Sequence, residues 1–82
     1  MTPSVRLTLT AHSSASLLCR IIGLLAQHDL AAPDLRVRQH GTDMEVEIVL
    51  RGLPPQSARI VTEKMRSCIG VFSVSESAAV LA

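Results

Sequence analysis

Aromatic side chains are almost absent from this chain: Phe72 stands alone, with no Trp and no Tyr. Functions that stack bases or sugars on rings are excluded with them. There is no Asn either. No charge of one sign dominates, since 8 Lys and Arg against 7 Asp and Glu leave a net charge of +1. That balance offers no field to attract nucleic acid or a membrane surface. No apolar run in the sequence approaches the ~20 residues of a membrane span. The start, Met1-Thr2-Pro3-Ser4, has neither the charged head nor the apolar centre of an export signal. The expected location is therefore the cytoplasm. The 2 cysteines, Cys19 and Cys68, are far apart and both fall in helical patterns. They read as small apolar side chains in a reducing compartment.

What is present is apolar side chains, 48% of 82 residues, which excludes a disordered chain. The length gives a single domain, residues 1–82, with a core over about 4–76 and a short tail, 77–82. A domain of this size is marginal alone, so dimerisation is expected.

The longest periodic segment runs from Ser14 to Asp29. At about 100° per residue, Leu17, Leu18, Ile21, Ile22, Leu24 and Leu25 share one arc. Arg20, Gly23 and Gln27 lie opposite. This is a helix buried on one side, with Ser13 or Ser14 placed to cap its first amides. Pro33 forbids its continuation.

A strand precedes it. Val5, Leu7 and Leu9 point one way; Arg6, Thr8 and Thr10 point the other. After it come two strands around His40-Gly41-Thr42-Asp43, read as a loop of those residues. If Gln39 opposes Met44, then Val37 meets Val46 and Leu35 meets Ile48 on a buried face. Arg38 then meets Glu45, and Arg36 meets Glu47, on the other. A slip by one residue would destroy both sets. A second helix begins near Pro54-Pro55. Its apolar stripe is Ala58, Val61, Met65 and Cys68; Arg59, Thr62, Glu63 and Arg66 lie away from it, and Ile60 is left outside. Gly70 is placed to end that helix. The last strand, Val71 to Glu76, puts Phe72 and Val74 on one face. The tail extends that strand, frays or packs on a partner.

The order is β-α-β-β-α-β. One-sided helices and half-buried strands give an α+β, ferredoxin-like two-layer sandwich: a four-stranded antiparallel sheet with two helices on one face. Right-handed crossovers place strands one and three in the centre. The outer sheet face then carries Arg6, Thr8, Thr10, Arg36, Arg38, Glu45, Glu47 and Val49.

This fold hosts unrelated functions, so side chains must decide. Metal carriage in the first loop needs two closely spaced cysteines, and Ala11-His12-Ser13-Ser14 has none; His12 alone is a poor metal site. RNA recognition needs aromatics on strands one and three, where Arg6, Thr8, Glu45 and Glu47 stand. Acylphosphatase-like catalysis needs an Asn to orient water. His12, His28 and His40 are scattered, and no nucleophile, acid or base is placed for catalysis. No catalytic residue, metal ligand or cofactor is expected, which leaves a binding or regulatory module.

The run Leu17-Leu18-Cys19-Arg20-Ile21-Ile22-Gly23-Leu24-Leu25-Ala26-Gln27-His28 resembles the first helix of ACT domains, closest to the small regulatory subunits of acetolactate synthase. The likeness continues through Leu35 and Val37 and again over Cys68-Ile69-Gly70-Val71-Phe72-Ser73-Val74. The resemblance implies a homodimer formed side by side into an eight-stranded sheet. It also implies a catalytic large-subunit partner and an amino-acid effector at the interface. The matching effector positions are Ser13, Ser14, Ala15, Ser16, Ala31 and Ala32. Ser13 and Ala31 stand where the family has Asn, and Ser16 where it has Gly, so contacts are removed and space is filled. The departures favour a subunit that activates a thiamine-diphosphate-dependent acetolactate synthase by docking over one that senses valine. The alternative is a stand-alone amino-acid sensor acting on an unrelated partner.

Overall fold

A computed structural model of the chain describes residues 4–27 and 32–79. His28 and Ala31 lie outside the described residues. The elements are β1 (Ser4–His12), α1 (Ala15–Ala26), β2 (Asp34–His40), β3 (Asp43–Arg51), α2 (Pro55–Arg66) and β4 (Val71–Ala79). All neighbouring strands are antiparallel in the order β2-β3-β1-β4. Strands one and three are central, as the crossover rule requires.

The core lies between one sheet face and the helices. Leu7, Leu9 and Ala11 of β1 and Met44, Val46 and Ile48 of β3 meet Leu17, Ile21 and Leu25 of α1 and Ala58, Val61 and Met65 of α2. Leu18 and Leu24 pack against this cluster partly buried. Ile22, expected on the buried arc, is exposed. The arc drawn from the sequence is wider than the strip that the sheet covers.

The β2–β3 hairpin has the predicted register: Leu35 opposes Ile48, Arg36 Glu47, Val37 Val46, Arg38 Glu45 and Gln39 Met44. The loop is shorter than expected. His40 and Asp43 pair with each other, and only Gly41 and Thr42 turn the chain, with Gly41 at a φ of 61°. Two further expectations fail here. The apolar face of β2 is not buried: Leu35 is 40% and Val37 41% exposed. As the outermost strand, β2 has a neighbour on one side only, and no residue of it is buried among the described residues. The expected ion pairs do not close either. Glu47 Oε1 lies 4.0 Å from Arg6 Nε, and Arg36, Arg38 and Glu45 form no ion pair among the described residues.

In α2, Thr62 is a correction: it is 2% exposed, not on the outer face. Its hydroxyl shares its proton between the Ala58 carbonyl at 2.8 Å and Glu76 Oε2 at 3.2 Å, and so is satisfied although buried. The helix ends at Arg66 with Ser67 as its cap. Gly70, at a φ of 99°, turns the chain into β4. That strand runs through Ser77 and Ala78 to Ala79, so the described part of the tail extends it.

Phe72 and Val74, expected on one face, differ sharply in burial. Thr10 pairs with Ser73 but Ala11 with Val71, which makes Phe72 the extra residue of a bulge. Val71 thereby turns toward the core, and Phe72 is left 61% exposed. On the outer sheet face Val49 is buried, between Arg6 and Asp34 in the register and beside a charged cleft with Arg36 and Glu47.

Candidate functional site

Three connections meet at one end of the sheet. The amide of His12 donates to the Gly70 carbonyl at 2.8 Å, and the amide of Ser13 donates to the Thr42 carbonyl at 2.9 Å. The β1–α1 loop is thereby pinned to the α2–β4 loop on one side and to the β2–β3 turn on the other. Its last residue, Ser14, is the cap of α1. Ser14 Oγ accepts from the Leu17 amide at 3.2 Å and lies 3.2 Å from Ser16 Oγ. The amides of Ala15 and Ser16 precede any intrahelical acceptor and stand at the positive end of the helix.

A cleft of about 240 Å³ opens beside this cap. Ser14, Ser16, Leu17 and Arg20 line one side; His12, Ile69 and Gly70 line the other. Leu17 and Ile69 supply apolar surface. Arg20, His12 and the hydroxyls supply donors. Such a mixture suits a small ligand that carries a carboxylate and a short apolar group. Gly70 is required where it stands, because a Cβ there would lie 3.0 Å from Leu17 Cδ2 and the φ is one that side chains avoid.

Of the residues expected at an effector site, the structure brings Ser14 and Ser16 to the cleft. Ser13 and Ala15 flank them in the chain, and Ala32 is exposed before β2. Sequence reasoning did not find His12, Arg20, Ile69 and Gly70 as lining residues. Arg20 had a signal, its place on the outer side of α1. Ile69, 88% exposed, had none, since it sits in a turn without periodicity.

The other candidate groups are separate. Cys19 is exposed rather than buried, while Cys68 is half-buried, its thiol donating to the Lys64 carbonyl at 3.5 Å; both are free thiols. The register sets His40, Asp43 and His12 in one row across β2, β3 and β1. Even so, no group of three His, Cys, Asp or Glu side chains among the described residues could hold a metal ion. No helix among them is long and apolar enough to cross a membrane.

Comparison with known proteins places this architecture. The ACT domain from the GTP pyrophosphokinase of Chlorobium tepidum superposes with a TM-score of 0.80 at 12% identity, covering 94% of this chain and 100% of that one. The C-terminal domain of the MgtC protein from Mycobacterium tuberculosis superposes with a TM-score of 0.78 at 13% identity, covering 95% of this chain and 88% of that one. Both likenesses are of fold. No curated protein matches the chain in sequence. The family model described as an ACT-like domain matches residues 2–81. ACT domains are regulatory and binding modules that often pair and bind amino acids. With nearly the whole length matched and the β-α-β-β-α-β sandwich in place, the chain belongs to the ACT-like domain family.

Proposed function

We propose that this chain is a non-catalytic regulatory subunit that pairs side by side with a second copy and docks on a catalytic partner. The partner is the large subunit of a thiamine-diphosphate-dependent acetolactate synthase, in branched-chain amino-acid biosynthesis. The observation that carries the reading is α1. Residues 17–28 resemble the first helix of that enzyme's small subunits, and the described part of the run forms the helix that organises the core and frames the cleft. The open edge of β2 supports the pairing, because Leu35 and Val37 have no cover within one copy. The reading assigns this chain no cofactor and places it in the cytoplasm with its partner. Co-expression with the large subunit, followed by light scattering on the purified material, tests it. The expected result is a complex containing both chains; two separately eluting species would remove the reading.

A second reading, an amino-acid sensor for an unrelated partner, is favoured by the cleft at the α1 cap. There the Ala15 and Ser16 amides and Arg20 would take a carboxylate. Ser13, Ser14, Ala31 and Ala32 are the remaining positions carried over from the family. Thermal melting against all twenty amino acids decides it, because a ligand at 100 times its Kd adds about 2.7 kcal/mol. A clear rise with one amino acid supports the sensor; a flat panel rejects it and leaves docking.

A further inference from the structure

We propose that two copies pair antiparallel along β2 about a twofold axis at Arg36. Asp34 of each copy then faces Arg38 of the other, and Leu35 faces Val37. The inference rests on the paired-module reading above and adds to it a register.

The two edges of the sheet differ. An exposed edge invites pairing unless something blunts it. The β4 edge is blunted twice. The bulge at Phe72 interrupts its ladder, and Arg66 Nη2 reaches over to bond the Val74 carbonyl at 3.0 Å. The β2 edge has neither device. It pairs with β3 without a shift from Asp34 to His40, contains no Pro, and leaves apolar side chains in solvent.

Self-pairing about a twofold allows few registers, because paired residues must share a face. An axis at Val37 would oppose Arg36 to Arg38 twice and set Leu35 against Gln39. An axis at Arg38 would oppose it to its own copy and set Val37 against Gln39. An axis at Leu35 would leave Val37 opposite Pro33, outside the strand. Only the axis at Arg36 matches Leu35 with Val37 twice and Asp34 with Arg38 twice. The remaining like pair, Arg36 with its copy, has Glu47 as its neighbour on β3. The charges are available. Arg38 has no ion pair among the described residues, and Asp34 engages Arg51 through Oδ2 alone.

The test is sedimentation velocity over a range of concentrations on the wild type, Asp34→Arg, Arg38→Asp and the double exchange. Arg38→Asp is the cleaner single change, since Arg38 has no ion pair to lose. The wild type is expected to be a dimer. Each single change opposes like charges twice and should weaken the dimer at least about tenfold. The double exchange restores complementarity and should return most of the affinity, which also reports that the strand still folds. Ser75→Arg, on the other edge strand, should leave the dimer unchanged. A dimer indifferent to the single changes, or not restored by the double, overturns the register while the paired module stands. A wild type monomeric at every concentration overturns both.

Discussion

Gly70 is the residue where conformation, packing and site coincide. Its φ of 99° and the 3.0 Å approach of Leu17 Cδ2 to the place of a Cβ both reject a side chain. Its carbonyl also anchors the His12 amide. Gly70→Ala is expected to cost about 1–3 kcal/mol. A midpoint in urea lowered at unchanged slope would show this, and an unchanged midpoint would refute it. Gly23 is the opposite case. It lies inside α1, exposed, with nothing within 4 Å of a Cβ. Gly23→Ala should raise stability by about 0.4–1 kcal/mol, chiefly by restricting the unfolded chain. Thermal melting checks it, since 1 kcal/mol moves the Tm of so small a domain by about 4–8 °C.

At the scale of elements, the hairpin and both helices were legible because each rests on a local rule. Alternation and charge opposition select one β2–β3 register, and the serine before an apolar run marks the α1 cap. The bulge in β4 was not legible, because Phe72 and Val74 sit at an ordinary strand spacing and only the pairing of Ala11 with Val71 displaces one of them. Thr62 misled for a similar reason: its type suits an outer face, and its partner Glu76 comes from another element. The cleft was legible on the α1 side, through Ser14 and Ser16, and illegible on the side built by Ile69 and Gly70, which only the fold brings there. Phe72→Ser tests the bulge as an element. An exposed, unpaired residue should be replaceable within about 0.5 kcal/mol of stability. A loss of several kcal/mol in a urea titration would mean that Phe72 is part of the core.

At the scale of the molecule, one sandwich presents two unlike edges and a cleft at the start of α1. The β4 edge is closed by a bulge and by Arg66. The β2 edge is open and carries exposed Leu35 and Val37. The cleft stands at the capped end of α1. On the proposed reading, the open β2 edge serves pairing with a second copy and the rest of the surface serves docking. The function proposed for the chain is to act by changing the activity of another protein. The measurement that tests this most directly is acetolactate formation by the catalytic large subunit as the purified chain is titrated in. The rate is expected to rise to saturation at a fixed ratio of the two chains. A rate unchanged at every ratio, with no complex formed, would contradict it.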